Sequence, residues 1–152
     1  MKLVAQFADR WCFQLTAIEA DLLRGLLKRF PVGRAAKARI SHVDDSPGAD
    51  DRQGMLEESM AEHRRDLKRL ARTLLADEQW PASPEGPQLT LTLEHREVLL
   101  QILNDIRLGC WRALGEPDDL ATEPAEPVTG PRALMDLAGY YEMHLLAPDT
   151  QA

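Results

Sequence analysis

WCFQLTAIEADLLRGLLKRF, residues 11–30, decides the fold class. Trp11–Leu15 is a short apolar run of strand character. Thr16 with Glu19 three positions later is a capping box, in which each side chain satisfies an amide that the first helical turn would otherwise leave bare. Ile18, Leu22, Leu23, Leu26, Leu27 and Phe30 then recur at helical spacing, and Pro31 with Gly33 marks the end. A strand feeding straight into an amphipathic helix predicts a mixed α and β architecture.

Working outward, KLVAQF at 2–7 is a second apolar run, separated from the first by Ala8, Asp9 and Arg10, and the pair reads as two strands joined by a tight turn. Downstream, a long helix spans about 53–77, where Leu56, Met60, His63, Leu67, Leu70 and Leu74 step by three or four residues with no proline or glycine after Gly54. Its start holds Glu57, Glu58 and Glu62 and its second half Arg64, Arg65, Lys68, Arg69 and Arg72, an order that complements the helix dipole. Residues 81–87 are a turn-rich break, and 88–91 (QLTL) form a third strand candidate. Thr92 caps a helix over 93–114, closed by Gly115, and Pro131 opens a final helix with Leu134, Leu137, Ala138, Tyr141 and Leu145 as its buried stripe.

The apolar residues that follow Thr16 at offsets +6, +7, +10 and +11 have counterparts at the same offsets after Thr92: Val98, Leu99, Ile102 and Leu103. Any strand-to-helix turn packing on one core gives this echo, and that is the preferred reading over a duplicated unit. The expected fold is therefore α+β and mostly helical, with about four amphipathic helices on a small antiparallel sheet of two or three strands. A single domain over 1–152 is expected from the length. Residues 31–53 are read as a mobile linker or a short helical turn near 34–40, and 148–152 as a frayed tail.

Composition narrows the function classes. Hydrophobic residues make up 44%, enough for a real core. No run approaches the ~20 apolar residues of a membrane-spanning helix, and the N-terminus lacks a signal-peptide pattern, so a cytoplasmic location is expected. Cys12 and Cys110 match no metal spacing or redox motif and are read as two buried thiols in a reducing compartment. Net charge is −7, which disfavours indiscriminate nucleic-acid binding. The charge is unevenly placed: residues 1–76 hold 14 Lys/Arg against 11 Asp/Glu, whereas 77–152 hold 4 against 14.

No hydrolase elbow, phosphate-binding loop or dinucleotide fingerprint occurs, and no catalytic or cofactor residue is assigned. His42, His63, His95 and His144 fall in no spacing that places two metal ligands on one helix face, so no metal site is expected. His63 lies on an apolar stripe and is read as a partly buried packing residue. Two clusters remain. Arg24, Lys28, Arg29, Arg34, Lys37 and Arg39 form an acid-free basic run over 22–43, a candidate basic face for phosphate together with the basic end of the long helix. No aromatic residues interleave for base stacking and no helix-turn-helix signature appears, so a protein-contact or solvated face is preferred.

The second cluster is LNDIRLGCWRALG at 103–115, where polar Asn104, Asp105 and Arg107 interrupt an apolar helix. Gly109 costs about 1 kcal/mol relative to alanine there, which predicts close backbone packing. Arg107 and Trp111, four apart, are expected to stack. A structural role is preferred for this segment; a recognition surface of Asn104, Asp105, Arg107 and Trp111 is the alternative.

At LEESMAEHRRDLKRL (56–70), LTLTLEHREVLLQILNDIRLGCWRALG (89–115) and LMDLAGYYEMHLL (134–146), with WCFQLTAIEADLLRGLL (11–27), the chain resembles a bacterial family of uncharacterised proteins, domain of unknown function 2017. LNDIR followed by Leu108 and Gly109 is the most distinctive string. The resemblance implies a single-domain cytosolic bacterial protein with no assigned enzyme activity. It also implies a link to proteolysis or stress, because family genes in some bacteria neighbour that of the Clp-protease adaptor. Part of the family is assigned to redox-responsive transcriptional regulation through two closely spaced N-terminal cysteines. This chain departs there, since Cys12 has no near partner and Cys110 lies in a distant helix. The expectation is a non-enzymatic interaction or regulatory protein acting through protein contacts, with a partner protein or with itself as a homodimer, its oppositely charged halves orienting association. The alternative is a transcriptional or stress-response regulator contacting nucleic acid through the basic 24–39 segment.

Overall fold

The computed structural model describes residues 1–32, 49–118 and 130–147. The chain runs β1 (Lys2–Phe7), β2 (Arg10–Gln14), α1 (Ala17–Arg29), α2 (Ala49–Leu74), β3 (Ala82–Ser83), β4 (Gly86–Thr92), α3 (Leu93–Ala113) and α4 (Pro131–Leu146), with a short 3₁₀ turn at Asp77–Gln79 before β3. The expected mostly helical α+β class holds. The antiparallel sheet has the order β1-β2-β4-β3, one strand more than the two or three expected.

Side chains alternate across a strand, and the register uses this. Trp11 faces Leu91 and Phe13 faces Leu89, while Leu3 pairs with Phe13 from the other side. Leu3, Phe13, Leu15, Leu89 and Leu91 are buried, so one face of the sheet carries the core. Cys12, Gln14, Gln88 and Thr90 point the other way and none is buried. Edge strand β1 is kinked by a bulge between Leu3 and Ala5 and carries exposed Val4 and Phe7.

The extra strand comes from the stretch read as a break. Ser83 Oγ donates to the Gly86 carbonyl at 2.8 Å, closing a hairpin too short to show periodicity. Gly86 is required there twice over. Its φ is +122°, and a Cβ would sit 2.6 Å from the Leu15 carbonyl oxygen.

Both strand-to-helix turns form as the sequence predicts. Thr16 Oγ1 accepts from the Glu19 amide at 3.2 Å, and the Thr16 amide donates to Glu19 Oε2 at 2.8 Å. Thr92 Oγ1 accepts from the His95 amide at 3.2 Å. In α1, Ala20, Leu23, Leu26 and Leu27 are buried, but the expected stripe is narrower than read: Ile18 and Leu22 are exposed. The stripe of α3 (Val98, Leu99, Ile102, Leu103, Ile106, Cys110) is buried throughout, and α4 packs mainly on it through Met135, Ala138, Tyr141 and Leu145. Leu134 and Leu137, expected in that stripe, are half-buried.

Helix α2 starts at Ala49, so the last part of the segment read as linker or turn is helical. The rest of that segment, 33–48, lies outside the described residues, as does the tail from 148. The α2 helix ends at Leu74, where the Trp80 indole donates to the Leu74 carbonyl at 2.7 Å and Arg24 of α1 lies 4.6 Å above the Trp80 ring. Its core contacts are lopsided. Leu67, Ala71 and Leu74 are buried, whereas no residue from Asp50 to Asp66 is. Among the described residues, no helix is long and apolar enough to cross a membrane.

Candidate functional site

A cleft of about 480 Å³ opens between α2 and α3. Met60, Leu67 and Leu108 supply its apolar wall, and Ser59, His63, Gln101 and Asn104 its polar rim. Arg64 donates to Asp105 Oδ1 at 3.3 Å across it, linking the basic and acidic halves of the chain. The second Asp105 oxygen is buried with no hydrogen-bond partner among the described residues. The pair is partly solvated, so its contribution is at most about 1 kcal/mol, and it orients the two helices rather than cementing them. Met60 and Leu108 are 45% and 41% exposed. Chemically, the cleft offers an apolar strip flanked by hydrogen-bonding groups.

The structure divides the four residues of the candidate recognition surface. Asn104 and Asp105 line the cleft. Arg107 turns away, and its guanidinium donates to Glu142 Oε2 of α4 at 2.6 Å instead of stacking on Trp111. The Trp111 indole donates to the Pro117 carbonyl at 3.2 Å and ties down the chain beyond α3. Among the described residues, the guanidinium–ring pairs are Arg24 with Trp80 and Arg96 with Trp11. A partnered carboxylate on α4 wins over a neighbouring ring because a charge-assisted hydrogen bond is the stronger interaction. His63, read as partly buried, is exposed at the cleft mouth, since the half of α2 that carries its stripe has no core beneath it.

The basic residues divide as well. Lys28 of α1 meets Lys68 and Arg72 of α2 around a smaller cleft of about 260 Å³ floored by Leu27, Phe30 and Ala71. Arg24 is spent on Trp80. Arg29 is exposed in the last turn of α1, and Arg34, Lys37 and Arg39 lie outside the described residues. Lys28 and Arg72 stand in the last turns of their helices, where bare carbonyls already attract positive charge, and Lys68 lies one turn before Arg72. This gives Lys28 and Arg72 a structural reason beside any anion they could meet.

A third cluster is one that sequence reasoning missed. Glu19 Oε1 accepts from the Tyr140 hydroxyl at 2.6 Å and from the Met1 amino group, and the Tyr141 hydroxyl donates to the Glu19 carbonyl at 2.6 Å. Burial by itself raises the Glu19 pKa, but the ammonium, the Tyr140 hydroxyl and the Thr16 amide and hydroxyl overcome it and hold the group at about 2. Burial and the Glu19 carboxylate push Tyr140 up to about 12, and burial with the same charge raises Tyr141. These shifts describe a satisfied junction of β1, α1 and α4. The only local signal was the Thr16–Glu19 capping box.

Cys12 sits 3.5 Å from Thr90 Oγ1 on the sheet's outer face and is half-buried, whereas Cys110 is buried in α3; neither is in a disulfide. The expectation of a buried Cys12 is thus corrected by its position on the face that lacks the core. No three His, Cys, Asp or Glu side chains converge at metal-binding distance among the described residues. Comparison of the chain with protein-family models, curated proteins and solved structures gave no match.

Proposed function

We propose that this chain is a non-enzymatic interaction protein of the cytosol, regulatory in role, whose working surface is the cleft between α2 and α3 together with the exposed first half of α2. One observation carries the reading. In this helix of 26 residues the stripe of Leu56, Met60, His63, Leu67, Leu70 and Leu74 continues unbroken from the middle to the end, yet none of its side chains from Asp50 to Asp66 is buried. An amphipathic face left without a core beside an apolar groove is how helices are presented to protein partners. The resemblance to the uncharacterised bacterial family, with its link to proteolysis and stress, is compatible with such a role.

The test is capture from the native cell with the tagged chain, comparing wild type with a Met60→Arg/Leu108→Arg double variant. Recovered protein, untagged copies of the chain included, should fall at least ~10-fold for the variant, since two central contacts of about 1–2 kcal/mol each are lost. Equal recovery overturns the cleft as the working surface.

A second reading, nucleic-acid contact by a transcriptional or stress-response regulator, is favoured by the convergence of Lys28, Lys68 and Arg72. Binding to duplex DNA in a salt titration tests it, because each phosphate neutralised steepens the salt dependence by about one. Absence of binding at low salt removes it.

A further inference from the structure

Lys28 of α1 and Lys68 and Arg72 of α2 rim a cleft of about 260 Å³ whose floor is buried Leu27, Phe30 and Ala71. All three cations are exposed. The chain holds 25 acidic side chains against 18 basic ones, yet among the described residues no carboxylate forms an ion pair with any of the three. Helix ends account for part of this, since Lys28 and Arg72 stand in last turns. They do not account for Lys68, which sits one turn before Arg72 and sets two like charges side by side, at a cost to the helix. Nor do they explain why Lys28 is brought against that pair. A rim of one sign over an apolar floor concentrates the field in the cleft, because low-dielectric walls focus the field lines there.

We propose that this cleft binds a compact anion carrying at least two phosphoryl groups, whose oxygens accept from Lys28, Lys68 and Arg72. Such a ligand is independent of whatever occupies the α2–α3 cleft. It shares its cations with the nucleic-acid reading but is a different molecule. The space lies at the lower end of small-molecule sites, which start near ~300 Å³, so it takes one small ligand. Three cations are balanced by two linked phosphoryl groups, each bringing about −1.5 to −2 near neutral pH, and not by a single carboxylate. Lysine ammonium and the arginine fork are both phosphate-binding groups. Nucleic acid fits less well. Phe30 in the floor and Trp80 beneath Arg24 are 4% and 5% exposed, so neither ring is offered to a base. Asp77 and Glu78, exposed just past the end of α2, repel a phosphate backbone laid across that end.

The experiment is calorimetric titration of the full chain with inorganic triphosphate, with sulfate at equal ionic strength as the control for general screening. Triphosphate should bind saturably and at least ~10-fold more tightly than sulfate or inorganic phosphate, because only the longer anion reaches all three cations. Lys68→Gln/Arg72→Gln should weaken it at least ~10-fold. Lys28→Gln alone should weaken it too, since the site needs both helices. Arg65→Gln/Arg69→Gln removes as many charges from exposed positions of α2 outside the cleft and should change binding less than ~3-fold. Circular dichroism checks that every variant keeps its helices. Triphosphate bound no tighter than sulfate, equal losses for the two double variants, or indifference to Lys28→Gln overturns the proposal. A DNA duplex that binds through Lys68 and Arg72 and is not displaced by triphosphate also overturns it, and leaves the cleft to the nucleic-acid reading.

Discussion

Two glycines in helices show how far a residue's meaning depends on what lies opposite. A Cβ on Gly109 would come 2.5 Å from the Val32 carbonyl oxygen, against backbone that cannot swing aside, whereas a Cβ on Gly25 would meet nothing within 4 Å. Gly109→Ala should therefore destabilise the chain by about 1–2 kcal/mol, overpacking outweighing the helix-propensity gain. Gly25→Ala should stabilise it by about 0.5–1 kcal/mol. Thermal melts of the two variants check the opposite signs. The cost of Gly109 was legible in the sequence, but its partner, Val32, was not, because the contact joins residues 77 positions apart. Glu19 repeats the lesson. Its capping role is local and was read correctly; its tyrosine partners lie 121 and 122 positions away. Because its pKa falls from 4.5 to about 2 on folding, its stabilisation is complete above about pH 4.5 and drains as pH drops toward 2. Allowing for its partial exposure, the amount is of order 2 kcal/mol. Glu19→Gln should lower the melting temperature at pH 7 and flatten its further fall between pH 5 and 3. A fall as steep as that of wild type would assign the acid sensitivity elsewhere.

Helix α2 is where the element scale decides most. Its spacing predicted a helix but not what the stripe packs on, since a stripe reads the same whether or not a core lies beneath it. The core beneath it ends near Leu67, so equivalent truncations should differ sharply along its length. Leu74, 1% exposed, should cost about 2–4 kcal/mol as Leu74→Ala. Leu56, half-buried on the unsupported half, should cost less than about 1 kcal/mol as Leu56→Ala under monomeric conditions. Denaturant melts of the dilute protein compare them, and equal losses would mean that the first half of α2 is anchored after all. The β3–β4 hairpin escaped notice for a different reason. A strand of two residues has no period to read, and its geometry is fixed by Ser83 and by the room that Gly86 leaves for Leu15.

For the whole molecule, the sheet-and-helix arrangement followed from caps and apolar spacing, which are local and survive in a bare sequence. Site assignment went less far. The NDIR segment combined two roles that the fold separates, Asn104 and Asp105 toward the cleft and Arg107 toward Glu142. Polar residues on one helix point to opposite neighbours according to angle, and those neighbours, α2 and α4, are distant in the chain. Hydrogen exchange resolved along α2 tests the missing core beneath its first half most directly, by comparing residues 50–63 with 67–74 in the dilute full chain. Residues 67–74 should be protected, and residues 50–63 should exchange at least ~10-fold faster. Protection of 50–63 as high as that of 67–74 would contradict the account.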